Sequence, residues 1–245
     1  SDISYKRLEK RSGPVNGYVQ SLLRKGESMK SLTPRDLKWL EAILAKLRDD
    51  VTIAYFTEEI NCRHCQMERD LLTGLAGLSH KLHLDVYNFT ADHEAADHYG
   101  IDKCPGFLFI GKKNYGVKYY GMPSDFEFRM LMEEIVRVSS GHSGLSSATI
   151  SVLEDLNAPI HLEVLTLHAC RLSTEAVKMA HQLAMESVLI TADLVNVDDF
   201  PEMVKRYSIL VSPTVVVNGS YHFYGALREA DFVEQVLKGA QESRR

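Results

Sequence analysis

Cys62-Arg63-His64-Cys65 is the segment of this sequence best equipped for chemistry. It follows the apolar, β-branched run VTIAYF at 51–56 and precedes Met67, Leu71, Leu72, Leu75 and Leu78, which recur at helical spacing. A cysteine pair at such a strand-to-helix junction suits redox work. Cys62 is expected to cap the helix N-terminus, where unpaired backbone N–H groups and the helix dipole favour a thiolate over a thiol. Two intervening residues bring Cys65 within bonding distance across one turn, so the pair can close a disulfide after Cys62 has attacked a substrate. Cys62 is thus read as the nucleophile and Cys65 as the resolving thiol. Arg63 and His64 add positive potential, which predicts a couple more oxidising than one with neutral intervening residues.

The elements that must position this pair occur twice. Cys62 reappears as Cys170, Asn88 as Asn196, Tyr99 as Tyr207, Ile101 as Ile209 and Pro105 as Pro213, each 108 residues on. Tyr119-Tyr120-Gly121 answers to Phe223-Tyr224-Gly225. Strands are predicted at 51–56, 83–88, 162–167 and 190–196, and again in FLFI after Pro105 and TVVV after Pro213. Val177, Ala180, Leu183 and Ala184 repeat the helical stripe of the first copy. Thr33-Pro34 predicts a capped helix over 34–48, and Leu145 to Leu156 the equivalent in the second copy. Each copy reads β-α-β-α-β-β-α behind a leading helix, a mixed sheet with helices on its faces. SSGHSGLSS at 139–147 separates the copies. The domains are therefore 31–141 and 142–245, behind an extension at 1–30 with no convincing periodicity.

Composition narrows the function. The chain has 245 residues, 45% apolar and 25% charged, as expected of a soluble globular protein, and no apolar run is long enough to span a membrane. Its net charge of -5 offers no basic footprint for nucleic acid or an anionic membrane. Four cysteines are too few for a disulfide-stapled secreted scaffold, and the first 20 residues hold no apolar stretch of a secretory signal, so a cytoplasmic location is expected. No HExxH, GxGxxG or GxxxxGK[ST] occurs, so neither a zinc-protease nor a nucleotide site is indicated.

The chain resembles tandem thioredoxin folds, in particular the protein disulfide oxidoreductases built from two such units. Cys62-x-x-Cys65, Lys103-Cys104-Pro105, Ser212-Pro213 and YGVKYYGMPSDFEF followed by EEIVRVS carry the resemblance, which covers about 30–240. It implies an α/β fold of two thioredoxin-like domains, each a central mixed sheet flanked by helices. It also implies that Pro105 is cis and faces the cysteine motif, helping to bind substrate backbone as an added strand, with Pro213 its counterpart. The activity implied is thiol–disulfide exchange with protein substrates. The cofactor is then the Cys62–Cys65 disulfide alone, without metal, and electrons come from a separate thioredoxin-reductase-type donor.

Three departures stand out. The second motif is Cys170-Arg171-Leu172-Ser173, whose single thiol cannot close its own disulfide; Cys170 either forms mixed disulfides or packs as a small hydrophobe. Cys104 precedes the expected cis-proline where a non-thiol residue is usual, and is expected close to Cys62, where it could trap it, complete a metal site or simply pack. No acid stands about six residues before either first cysteine, where Phe56 and Val164 align, so His64, Glu58 or Glu59 is left to move protons. Two other classes stay open: a metal or iron–sulfur module using Cys62, Cys65 and Cys104, and a non-catalytic adaptor with a peptide-binding groove.

Overall fold

The computed structural model describes residues 33–244 apart from 61, 124, 168 and 169; the extension expected at 1–30 lies outside the described residues. The first half runs α1 (Pro34–Leu44), β1 (Val51–Thr57), α2 (Cys65–Ala76), β2 (Leu82–Asn88), α3 (His93–Tyr99), β3 (Gly106–Ile110), β4 (Asn114–Tyr120) and α4 (Asp125–Ser140). The second repeats the order with α5 (Ser147–Glu154), β5 (Ile160–Thr166), α6 (Ser173–Glu186), β6 (Ile190–Asn196), α7 (Glu202–Tyr207), β7 (Thr214–Val217), β8 (Tyr221–Tyr224) and α8 (Glu229–Glu242).

Local chemistry sets the helix ends. Thr33 caps α1 in a reciprocal box with Asp36, and Pro34 opens the first turn. The helix stops at Leu44 rather than running to 48, because buried Ser139 Oγ accepts from the Arg48 and Asp49 N–H groups and donates to the Asp49 carbonyl. A tertiary contact thus captures residues that helical spacing alone would continue. In the second half Ser146, not Leu145, begins the leading helix by accepting from Thr149 N–H.

The two copies do not keep separate sheets. All eight strands form one sheet in the order β2-β1-β3-β4-β6-β5-β7-β8, and the halves join where β4 pairs parallel with β6 from Val117↔Ala192 to Tyr120↔Val195. One repeated strand therefore sits in two environments. β2 is an outer edge with Val86 exposed, whereas its counterpart β6 is interior and almost wholly buried.

Alternation along the strands divides the core into two layers. Ile53 and Tyr55 of β1 face the larger layer, packed with Leu71, Leu72 and Leu75 of α2, Ile135 of α4, Val177 of α6 and Phe232 of α8. Ala54 and Phe56 face the other, with Ala96 of α3 and Met203 and Tyr207 of α7. The larger layer runs without a break across both halves. β1 and β5 start 109 residues apart whereas the cysteine motifs lie 108 apart, so Phe56 matches Leu165 rather than Val164, and neither is an acid.

Candidate active site

The site lies between the C-terminal end of β1 and the start of α2. Cys62 and Cys65 are joined in a disulfide with their Cα atoms 5.6 Å apart. Cys62 is half-buried and Cys65 is 3% exposed, so an incoming group meets Cys62 first. Cys62 is not the helix cap that the sequence led us to expect. The cap position belongs to His64, whose carbonyl accepts the first helical bond from Glu68 N–H, and the first helical residue is Cys65. It is the buried sulfur that sits at the positive helix end. Around it, Tyr55 Oη donates to the Cys65 carbonyl at 2.7 Å, and Glu58 N–H points at Cys65 Sγ from 3.4 Å.

The charge at the turn also differs from expectation. Arg63 is exposed, but His64 Nδ1 lies 2.7 Å from Asp199 Oδ1, with both side chains largely buried. Asp199 comes from the loop between β6 and α7 and also accepts from Met122 N–H through Oδ2 at 2.8 Å. Gly121, at φ +95, admits this approach, since a Cβ there would stand 2.7 Å from Asp199 Oδ2. A carboxylate from the second half thus answers the His64 ring, and the net positive turn expected from sequence is not what the fold builds.

Cys104 stands on the far wall, before the cis peptide to Pro105. Its Sγ is 3.9 Å from Cys65 Sγ, so its close partner is the resolving cysteine rather than Cys62 alone; all three sulfurs lie within 4.8 Å of one another. Burial, then the nearby Glu58 and Glu68 carboxylates, push the Cys104 thiol up to about 12. Pro105 is buried, and its carbonyl accepts from Gly121 N–H. Glu59 is exposed, and half-buried Glu58 accepts from Thr90 Oγ1.

The residue that sequence reasoning missed is Glu68. It lies one turn after Cys65 on the buried face of α2, is fully enclosed, and neither carboxyl oxygen has a hydrogen-bond partner among the described residues. Desolvation, then the Asp199 carboxylate, hold its carboxyl well above the usual range. With no acid in β1, the sequence leaves proton transfer to His64, Glu58 or Glu59. The signal is on the helix, where a glutamate takes an apolar position in the series Cys65, Glu68, Leu71, Leu72, Leu75.

The second half repeats this frame with other atoms. Ser173 is fully buried and starts α6 as Cys65 starts α2. Ser212 precedes the cis peptide to Pro213, and its Oγ lies 3.1 Å from Ser173 Oγ while accepting from Leu167 N–H. Half-buried Cys170 directs its thiol to the Ser212 carbonyl at 3.3 Å. Where Glu68 stands in the first half, the second has buried Ala176.

Residues 160–238 match the family described as "Thioredoxin domain". A protein disulfide oxidoreductase from Aeropyrum pernix superposes with a TM-score of 0.80 at 26% identity, covering 86% of this chain and 94% of that one. The chain has the thioredoxin fold. Thioredoxin of Methanocaldococcus jannaschii is 28% identical over 80 residues, which cover 32% of this chain and 94% of the relative. An alkylhydroperoxide reductase component from Enterococcus faecalis shares the fold at a TM-score of 0.77 and 22% identity, covering 83% of this chain and 98% of that structure. A thioredoxin-like chain with a Cys-x-x-Cys pair closed at its strand-to-helix junction is equipped for thiol–disulfide exchange. Among the described residues, no helix is long and apolar enough to cross a membrane.

Proposed function

We propose that the protein is a protein disulfide oxidoreductase that works through Cys62 and Cys65. The observation that carries this reading is the order of exposure in the pair, with accessible Cys62 joined to enclosed Cys65 beside cis-Pro105. In the reductive direction the Cys62 thiolate attacks a substrate disulfide, forming a Cys62 mixed disulfide and expelling one substrate thiolate. Cys65 then attacks the Cys62 sulfur, which closes the internal disulfide and expels the second. Oxidation of a substrate dithiol runs these steps in reverse.

Cys65 must lose its proton before it attacks, and the enclosed Glu68 carboxyl one turn along α2, in its ionised form, is the group we assign to accept it, so release should quicken as pH rises towards its raised range. Pro105 borders the cleft where substrate backbone docks. The second unit, taken as 142–245 against 31–141 for the first, serves as a monothiol partner that shapes the site through Asp199. The reading needs no bound cofactor beyond the redox disulfide. Its partners are protein disulfides and dithiols and a separate reductase of the thioredoxin-reductase type, in the cytoplasm. The similarity to the Aeropyrum pernix protein, whose described activity is this one, supports it.

Trapping tests the roles of the two sulfurs. Cys65→Ser incubated with a disulfide substrate should accumulate a mixed disulfide, and peptide mass analysis should place the adduct on Cys62. An adduct on Cys104 or Cys170 would overturn the assignment.

A further inference from the structure

We propose that reduction of the Cys62–Cys65 disulfide opens a three-sulfur binding site for one soft, thiophilic cation of the Zn2+ class, with Cys104 as the third ligand. The inference goes beyond disulfide exchange and rests on where three sulfurs lie. Cys62, Cys65 and Cys104 Sγ are all within 4.8 Å of one another, and Cys65 Sγ to Cys104 Sγ is 3.9 Å. Zinc–thiolate bonds of about 2.3 Å set tetrahedral sulfurs about 3.8 Å apart, so the last pair is already at ligand spacing. The Cys62–Cys65 pair has the two-residue separation of structural zinc pairs and needs only to part from its bond, which reduction does.

The second half shows that the fold itself does not demand a thiol before the cis-proline. There Ser212 fills the place, and its hydroxyl is used, accepting from Leu167 N–H and meeting Ser173. Among the described residues, Cys104 makes only long sulfur contacts, to Cys65 Sγ and to the Phe56 carbonyl at 3.8 Å. The three-thiol set therefore belongs to one half alone, against Cys170, Ser173 and Ser212 in the other. Sulfur-only donors select soft ions over Mg2+ or Ca2+. Cys62 and Cys104 are only half-buried, which leaves the outer side of the site open for a fourth ligand such as water.

The steps balance. A phosphine and one water convert the Cys62–Cys65 disulfide to two thiols, the phosphine leaving as its oxide and the water supplying both protons. One divalent cation then displaces three thiol protons and forms three metal–sulfur bonds, leaving a net charge of -1 on the site. In the disulfide state only Cys104 remains as a ligand, so exchange and metal binding exclude each other. By linkage, a cation that binds only the dithiol form raises the midpoint potential of the couple by about 30 mV for each tenfold of free metal above its Kd.

The test uses the full chain, reduced with a phosphine under anaerobic conditions, competing with a chromophoric chelator for Zn2+. The wild type should take up one equivalent when reduced and none when oxidised, and Cd2+ should give a thiolate-to-metal absorption band with the intensity of three sulfurs. Cys104→Ser should weaken Zn2+ binding more than about tenfold, or about 1.4 kcal/mol, whereas Cys170→Ala should bind as the wild type does. No uptake by the reduced chain, equal uptake by the oxidised chain, or unchanged affinity in Cys104→Ser would overturn the site. Were Cys104→Ser misfolded by circular dichroism, a two-sulfur Cd2+ band in the wild type would overturn it equally. A reversible two-electron couple without metal uptake would defeat this inference and leave the proposed exchange activity standing.

Discussion

Cys65 and Ser173 occupy one place in two copies of the same unit. Each is the first residue of the helix after the first strand of its half, each is buried, and each faces the residue before a cis-proline, at 3.9 Å in one half and 3.1 Å in the other. The first half fills the places with thiols and sets an enclosed carboxyl, Glu68, one turn away; the second fills them with hydroxyls and sets Ala176 there. The hydroxyl version satisfies itself with ordinary hydrogen bonds. The thiol version leaves a buried acid without a hydrogen-bond partner among the described residues, a costly arrangement that packing does not require, since its twin does without it. Such a cost is expected where chemistry needs it. The frame is thus shared, and the reactivity proposed above belongs to one copy.

The sharpest way to break this division is to remove the first thiol of each half. Cys62→Ser should lower substrate reduction by at least about a thousandfold in an insulin-precipitation assay, while Cys170→Ser should stay within about twofold of the wild type. Comparable losses in both would mean that the halves share the chemistry.

Glu68→Gln comes next. Removing the proton acceptor while keeping its shape should slow release of the mixed disulfide by about a hundredfold, read as single-turnover decay of a Cys62 adduct, with little change in its formation. The same variant carries a stability signature. Glu68 holds its proton in the folded state well above the usual glutamate range, so the native protein binds a proton that the unfolded chain has released. Wild-type stability should therefore fall as pH rises from about 4.5 towards that raised value, and Glu68→Gln should show a shallower fall, keeping only the part due to buried Glu134, whose carboxyl burial pushes up to about 7. Parallel pH profiles in chemical denaturation would show that Glu68 is not protonated in the fold.

These contrasts are unevenly legible in the sequence. Periodicity and the 108-residue repeat expose the element order, because strand alternation and helical stripes are local, and the cysteine spacing points to the junction directly. The resemblance supplies the cis-prolines, which stand at Pro105 and Pro213. Three features escape because they depend on what the chain meets only after folding. The β4–β6 pairing that fuses two sheets joins edges of different copies, and nothing in either strand names its partner. The end of α1 is set by Ser139, about 90 residues away. Asp199 reads as a loop acid until the fold places it against His64. Glu68 is different, since a glutamate interrupting an apolar stripe is a local signal that the sequence displays without help from the fold.

A smaller effect is expected from rebuilding the missing pair. Ser173 already has the buried helix-start position of Cys65, with its N–H bonded to the Cys170 carbonyl. Ser173→Cys should therefore close a disulfide with Cys170. The oxidised wild type holds two free thiols, Cys104 and Cys170. The oxidised variant should hold one, by thiol titration, and its new disulfide should exchange more slowly than the first because Ala176 offers no proton acceptor. Three free thiols would mean that the two junctions differ in backbone shape as well as in side chains.

The least disruptive change asks whether the second half acts on the first at all. Asp199 reaches the active-site turn from the second half, held 2.7 Å from His64 and 2.8 Å from Met122 N–H. Asp199→Asn keeps the shape and an acceptor oxygen for Met122 but removes the charge facing His64. Loss of a charge-assisted contact of this kind costs about 1 to 2 kcal/mol, measurable as a lowered denaturation midpoint. If Asp199 also sets the electrostatics of the pair, the variant should shift the Cys62–Cys65 midpoint potential towards the oxidising side, since removing a negative charge from the turn would favour the thiolate form. A stability loss with an unmoved potential would reduce the second half to a scaffold. A moved potential would mean that a domain without its own dithiol still governs the dithiol of its neighbour, through one carboxylate carried across the seam where the two sheets became one.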